Sequence, residues 1–145
     1  MQKYRTALEQ PGRISDGRNV FRKSCATCHR LENHGYELGP NLATIKNRGA
    51  ESILLNVLDP NREVNPQYVT YAILTTSGRT FSGLIQNETA TNVTLVRAEN
   101  KADTILRSDI EELTSTGVSL MPEDLHKAVS PEQLSDVVAY LLSIE

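Results

Sequence analysis

The clearest periodic pattern of apolar positions lies near the end of the chain and predicts an amphipathic helix. The apolar residues recur at positions i, i+3, i+4 and i+7, namely Leu134, Val137, Val138 and Leu141. Ser130, Pro131 and Gln133 stand where an N-cap serine, a first-turn proline and a capping-box glutamine are favoured. The pattern therefore predicts that a well-capped helix begins at about residue 131.

A second helix is predicted immediately before the first cysteine of the chain. Ser15 is a candidate N-cap. Asp16 follows it in the first turn, where a carboxylate interacts favourably with the helix dipole. Gly17 and Phe21 lie one turn apart on the same predicted helix. Both ends of the chain are therefore expected to be helical.

The middle of the chain, residues 67–112, lacks helical periodicity and predicts strands. Its apolar runs are rich in β-branched and aromatic residues, and short polar or glycine-containing turns separate them. Four strands are expected, at residues 68–76, 80–86, 93–96 and 104–106. They predict a small antiparallel meander whose apolar face consists of Tyr71, Ile73, Leu84, Val93, Leu95 and Ile105.

Composition indicates one compact domain of ordinary size. The chain has 145 residues, of which 39% are hydrophobic, 5% are aromatic and none is tryptophan. We expect a linker over residues 1–13 and a single domain over residues 14–145. The formal net charge of −3 argues against a nucleic-acid partner. No apolar run in the sequence approaches the length of a transmembrane helix.

The run Cys25-Ala26-Thr27-Cys28-His29 carries the main chemical signal. Two thiols three positions apart can each add to one vinyl group of a haem, and a histidine directly after the second cysteine can bind the iron. No other cysteine exists in the chain. A zinc site that uses both cysteines, His29 and His34 is the alternative, although its ligands would lie in one crowded stretch.

Met121 is the candidate for a second iron ligand. Met1 is the only other methionine, and Met121 is followed by a proline and then by the C-terminal helix. A thioether is a soft ligand that suits low-spin haem iron, and a His/Met pair raises the reduction potential. The alternatives are that Met121 fills the core, and that His126 or His34 replaces it.

The motif, the turn Gly39-Pro40-Asn41-Leu42, the Met-Pro pair and the two terminal helices together resemble class I c-type cytochromes. The resemblance implies a mainly α cytochrome c core, with three to five helices around one covalently attached haem c, into which the small antiparallel sheet is inserted. It also implies that Gly17 and Phe21 of the first helix cross Val137 and Tyr140 of the last.

The same resemblance assigns two further cofactor-binding positions. The carbonyl of Pro40 would orient the ring of His29, as an outer hydrogen-bond partner orients a metal-bound histidine. Arg48 would lie near a haem propionate, with Lys46 as a competing candidate. The implied cofactor-binding set is Cys25, Cys28, His29, Pro40, Arg48 and Met121, with His29 and Met121 as the metal ligands.

More closely, the chain resembles the C-terminal haem-binding domain of dehydrogenase-like proteins from planctomycetes and verrucomicrobia. The segments that carry this resemblance are 25–29, 39–42, 58–61, 76–79, 83–84, 109–112 and 119–122. The resemblance implies that the chain is part of a longer polypeptide and that its partner is a fused dehydrogenase domain or a separate redox protein.

These observations predict one-electron transfer rather than enzymatic catalysis, because a six-coordinate iron offers no site for a substrate. The alternative is a five-coordinate haem that acts as a gas sensor or a peroxidase-like protein. A third possibility is a docking module in which the haem only fills space. Because bacteria attach haem to thiols after export, we expect a periplasmic or otherwise exported protein whose signal peptide is not in this chain.

Overall fold

The computed structural model describes residues 1–144, which form four α-helices and one five-stranded antiparallel sheet. The helices are α1 (Gln2–Leu8), α2 (Ile14–Ser24), α3 (Gly49–Leu58) and α4 (Pro131–Ser143). The strands are β1 (Val69–Thr75), β2 (Thr80–Glu88), β3 (Asn92–Arg97), β4 (Lys101–Leu106) and β5 (Ile110–Ser119).

The expectation of a mainly α fold was wrong. The α-helices and the short 3₁₀ turns together account for 40% of the chain and β-structure for 28%, so the sheet is a major part of the fold. The chain divides into two compact units, one formed by residues 1–63 and 121–144 and the other by Val64–Leu120. Within residues 1–144, no helix combines the length and the apolar character that are needed to cross a membrane.

The first unit is built around a close crossing of α2 and α4. A Cβ atom at Gly17 would overlap the backbone carbonyl of Asp136, so only glycine permits this approach of the two helices. One turn further along α2, the ring of Phe21 lies 5.7 Å from that of Tyr140, at an angle of 60°. Both side chains are almost fully buried. The expected crossing of Gly17 and Phe21 with the C-terminal helix is therefore confirmed.

Helix α1 completes this core. It lies in the segment that was expected to be a linker, and its Tyr4 is only 6% exposed. Arg5 of α1 forms an ion pair with Glu51 of α3 at 2.7 Å. The pattern of residues 1–13 did not predict this helix, because seven residues give too little periodicity to recognise.

The two principal helices are capped in different ways. Ser130 and Gln133 form the complete capping box expected at the start of α4. The expectation that Ser15 caps α2 was wrong, because α2 begins at Ile14 with Arg13 at the N-cap. The backbone N–H of Arg13 instead donates to Oδ1 of the buried Asp136 at 2.8 Å, so a side chain of α4 caps the start of α2.

The sheet has the strand order β4-β3-β2-β1-β5, with every neighbouring pair antiparallel. The four expected strands are present, and the meander from β1 to β4 is confirmed. A fifth strand was missed, because its threonine, serine and glycine residues leave few apolar positions to detect. Ile73, Val93, Leu95 and Ile105 form the centre of the apolar core of this unit.

The sheet must fold over on itself. In a flat sheet the outer strands β4 and β5 would lie about 19 Å apart, four strand spacings. Only Arg107–Asp109 connect them, and such a link spans at most about 14 Å. Strand β2 changes partner along its length, because residues 80–83 pair with β1 and residues 84–88 pair with β3. Its register with β3 also shifts between Ile85 and Asn87.

Candidate haem-attachment site

The two cysteines lie on the turn that ends α2. Cys25 is the C-cap residue of α2, and its carbonyl accepts the backbone N–H groups of Cys28 at 3.1 Å and of His29 at 2.9 Å. These two hydrogen bonds close a turn directly after the end of α2, so the two cysteine side chains project from one turn of backbone. Both are free, half-buried thiols. The arrangement presents two thiols and the following imidazole within five residues.

The segment 38–40 folds back onto the motif. The N–H groups of Leu38 and Gly39 donate to the carbonyl of Cys28 at 2.9 and 2.8 Å. As a result, the Nδ1 atom of His29 lies 3.0 Å from the carbonyl oxygen of Pro40. A carbonyl only accepts hydrogen bonds, so Nδ1 carries the proton and Nε2 keeps the lone pair that a metal requires.

Gly39 leaves the space that the ring of His29 occupies. A Cβ atom at Gly39 would come within 2.8 Å of Nδ1 and 3.0 Å of Nε2 of His29. Sequence reasoning named the Gly-Pro-Asn-Leu turn but gave a role to Pro40 alone. The signal was present, since a glycine before a conformationally restricted proline indicates a close approach of the backbone to another group.

The surroundings keep the donor groups of the motif neutral. Burial, followed by the charge of Cys28, raises the pKa of the Cys25 thiol to about 12. Burial also raises the pKa of Cys28, although a hydrogen bond from Thr27 opposes the change. Burial lowers the pKa of His29, against the opposing effect of the hydrogen bond to Pro40. A neutral imidazole is the form of histidine that binds iron.

The zinc alternative lacks a ligand set. His34 is exposed in a turn, where its backbone pairs with that of Leu31. Among residues 1–144, no three His, Cys, Asp or Glu side chains are grouped so as to hold a metal ion.

The remaining candidates lie on other segments of the same unit. Arg48 is exposed at the end of the 3₁₀ turn Ile45–Arg48. Lys46 donates from Nζ to the carbonyl of Ile144 at 2.6 Å, just beyond the end of α4. Met121 is half-buried, and His126 is exposed in the short turn Leu125–Lys127. The contacts above thus join Cys25, Cys28, His29 and Pro40.

Sequence reasoning also missed a contact of the turn that follows the motif. The hydroxyl of Tyr140 donates to the carboxylate of Glu32, and Arg18 forms an ion pair with the same carboxylate at 3.5 Å. No sequence signal marks this cluster, because its members come from α2, the turn and α4, and meet only in the folded chain.

The donor set fits a covalently attached haem. Two neutral thiols on one turn can form thioethers, and the adjacent imidazole has Nδ1 tied to Pro40 and Nε2 available for iron. The chemistry of these groups, at this spacing, is the chemistry that such a cofactor requires.

Residues 14–72 of the chain match the cytochrome c family model. The match begins at the start of α2 and includes the motif, the Gly-Pro turn and α3. The chain has no match among the curated proteins. The matched domain carries covalently bound haem c with its iron, and it supports a haem-binding, electron-transfer function for this chain.

Proposed function

We propose that this chain is a monohaem c-type cytochrome that carries single electrons through a haem with His29 and Met121 as axial ligands. The observation that carries the proposal is the 3.0 Å contact between His29 Nδ1 and the Pro40 carbonyl, directly beside the two thiols. Such a contact fixes the tautomer and the ring plane of a histidine that binds metal. It is the contact expected of a proximal haem ligand.

Each residue of the motif has a definite task in this proposal. The Sγ atoms of Cys25 and Cys28 form the two thioether bonds and so fix the cofactor to the end of α2. His29 binds iron through Nε2 while its Nδ1–H donates to Pro40. The absence of a side chain at Gly39 allows the ring to adopt that position. The haem supplies an iron that cycles between two oxidation states.

Met121 is proposed as the second ligand because it is the single internal methionine and is half-buried in the same unit as His29. The Met121 thioether would stabilise reduced iron and, together with the imidazole of His29, would leave no open coordination position. The chain then transfers electrons without binding oxygen or peroxide, so the proposal makes it an electron carrier rather than an enzyme.

Arg48 is proposed as the group near a haem propionate. Both side chains are exposed, but the alternative, Lys46, already donates from Nζ to the carbonyl of Ile144. A guanidinium is also suited to pairing with a carboxylate through two parallel hydrogen bonds. The proposed setting is an exported, periplasmic domain over residues 14–145. Its proposed redox partner is a separate protein or a fused dehydrogenase domain, of the planctomycete and verrucomicrobial type that the sequence resembles.

The test uses the protein matured with haem. The denatured chain should retain its haem on extraction with acidified acetone, and a potentiometric titration should follow a one-electron curve. The ferrous protein should bind carbon monoxide poorly. Haem that is extracted from the denatured chain overturns the attachment through Cys25 and Cys28, and rapid binding of carbon monoxide supports the five-coordinate sensor or peroxidase alternative.

Two variants serve as matched controls for the attachment. Cys25→Ala and Cys28→Ala should each leave one thioether bond, so the haem stays attached but the α-band of the reduced pyridine complex moves to longer wavelength. The double variant should lose its haem on extraction. These results separate covalent attachment from simple trapping of the haem in the fold.

A further inference from the structure

The turn that follows the motif has an unfavourable backbone at a charged residue. Leu31 and His34 exchange two backbone hydrogen bonds, both at 2.9 Å, and so close a two-residue turn. The residues between them, Glu32 and Asn33, have φ angles of 51° and 64°. Glycine, asparagine and aspartate tolerate this left-handed region, whereas glutamate is disfavoured in it. The turn alone therefore does not account for the glutamate at position 32.

The side chain of Glu32 contacts both principal helices. Its carboxylate accepts a hydrogen bond from the hydroxyl of Tyr140 in α4 and forms an ion pair with Nε of Arg18 in α2, at 3.5 Å. The guanidinium of Arg18 also lies over the ring of Tyr140, 5.5 Å from its centroid. Hydrogen bonds to a carboxylate are among the stronger ones in proteins. The three side chains therefore form one connected cluster.

The cluster links the chain beside His29 to the helix crossing. Tyr140 is only 1% exposed, and its ring packs on Phe21, so its hydroxyl is a fixed point. Glu32 is three residues after His29, and the buried Leu31 lies between them. A displacement of Glu32 would thus be transmitted through two residues of backbone to His29.

We infer that Glu32 is a positioning residue for His29, because the Tyr140 hydroxyl and Arg18 fasten its turn to the crossing of α2 and α4. The role rests on the proposed function only in that His29 must bind haem iron. This role also explains why a glutamate stands at a position with an unfavourable backbone, because from this turn its carboxylate reaches the hydroxyl of Tyr140. Pro40 orients the ring of His29 through Nδ1, and Glu32 fixes the backbone on its other side.

The experiment compares four variants of the haem-loaded protein by electron paramagnetic resonance of the ferric iron, whose g-values depend on the orientation of the histidine ring. Tyr140→Phe removes only the hydroxyl, and Glu32→Gly removes the carboxylate while giving the turn a residue that it favours. Both should shift the g-values in the same direction. Glu32→Gln retains an oxygen acceptor for Tyr140 and should remain close to wild type. Glu37→Gln, which removes an exposed carboxylate from the same loop, is the matched control and should leave the g-values unchanged.

Two further results distinguish positioning from charge or packing. The double variant Glu32→Gly/Tyr140→Phe should shift the g-values no more than the larger single change, because the two residues act as one unit. Exchange of the amide hydrogens of Leu31 and His34 should accelerate severalfold in Tyr140→Phe, where the turn loses its hydrogen bond to α4 and keeps its unfavourable backbone. Tyr140→Phe keeps both the ring packing and the charge of Glu32, so a shift in that variant is not electrostatic.

Wild-type g-values in both Tyr140→Phe and Glu32→Gly would overturn the inference, as would a shift in Glu32→Gly alone. Shifts that simply add in the double variant would also overturn it. If the wild-type protein itself shows no histidine-bound haem, the proposed function fails and the inference fails with it. The wild-type spectrum therefore separates the two failures.

Discussion

His29 Nδ1 lies 3.0 Å from the carbonyl oxygen of Pro40, although the two residues are eleven positions apart. The contact exists because the N–H groups of Leu38 and Gly39 bind the carbonyl of Cys28 and return the chain to the motif. The peptide backbone, rather than a second side chain, thus orients the proposed iron ligand. Its geometry depends on the conformation of the 38–40 segment and on the missing side chain at Gly39.

Gly39→Ala should displace the ring of His29. The added Cβ would lie within 3.0 Å of both ring nitrogens, so either the ring or the 38–40 segment must move. Overpacking of this kind costs about 1–3 kcal/mol of stability. Because a weaker hydrogen bond to Pro40 makes the imidazole a less basic ligand, the reduction potential should rise. Redox titration measures this change, with Thr44→Ala, an exposed change in the next segment, as the control. An unchanged potential and stability in Gly39→Ala would contradict the packing described for the site.

Met121→Ala should open one coordination position. We expect the ferrous variant to bind carbon monoxide readily and the reduction potential to fall, because the thioether stabilises reduced iron. His126→Ala, five residues along the chain, is the control and should behave as wild type. If instead His126→Ala opens the iron and Met121→Ala does not, the histidine is the ligand and the proposed assignment is wrong.

Glu32 should contribute a pH-dependent term to the free energy of unfolding. The hydrogen bond from Tyr140, together with the nearby Arg18, lowers the pKa of Glu32 below its ordinary value of 4.5. A carboxyl whose pKa is lowered on folding stabilises the protein above its unfolded pKa, and this contribution is lost as the pH falls through the folded pKa. Urea unfolding of the haem-loaded protein should therefore show a loss of stability below about pH 4.5.

Glu32→Gln should reduce that loss, and Glu37→Gln should not. The comparison is between the slopes of the free energy of unfolding against pH in the two proteins. It therefore does not depend on the absolute stability of either variant. A wild-type protein and a Glu32→Gln variant with the same slope below about pH 4.5 would contradict the contact between Glu32 and Tyr140.

The unit Val64–Leu120 should be replaceable without loss of the iron ligands. Asn61 donates from its side-chain amide to the carboxylate of Glu123, so the two ends of the helical unit lie close together where the chain leaves and returns. A Gly/Ser linker of about six residues can span such a gap. We expect the shortened protein to retain the spectrum of a His/Met haem.

The control for this replacement is the same shortened chain with Met121→Leu, which defines the spectrum without the thioether. A shortened protein that keeps its haem and its fold but has the spectrum of this control would show that residues 64–120 position Met121. That result would contradict the expectation that Val64–Leu120 can be replaced without loss of the iron ligands.

The parts of the fold that follow from local chemistry were predicted from the sequence. Ser130 and Gln133 cap the start of α4 through reciprocal hydrogen bonds, and Pro131 occupies the first helical position, as expected. The strands β1 to β4 were predicted because their runs of β-branched and aromatic residues are typical of strands. In the structure, apolar residues of these runs form the core of the sheet. The thiols and the histidine of the motif are recognisable because the attachment chemistry requires that spacing.

The errors arose where distant residues decide the outcome. Asp136, 123 positions away, caps α2 at Arg13, so the local candidate Ser15 had no part in it. Strand β5 pairs with β1 although it offers few apolar residues, and its missed length contributed to the wrong estimate of a mainly α fold. The contact of Glu32 with Tyr140 joins residues 108 positions apart and leaves no local pattern.

The proposed haem, fixed to Cys25 and Cys28, has His29 and Met121 as its iron ligands. Proton nuclear magnetic resonance of the reduced protein tests this assignment most directly, because the ring current of a low-spin haem shifts the protons of an axial methionine far upfield. We expect one methionine methyl signal in that region, present in wild type and absent in Met121→Leu. A reduced spectrum without an upfield methionine methyl signal, or one whose signal survives in Met121→Leu, would contradict this assignment.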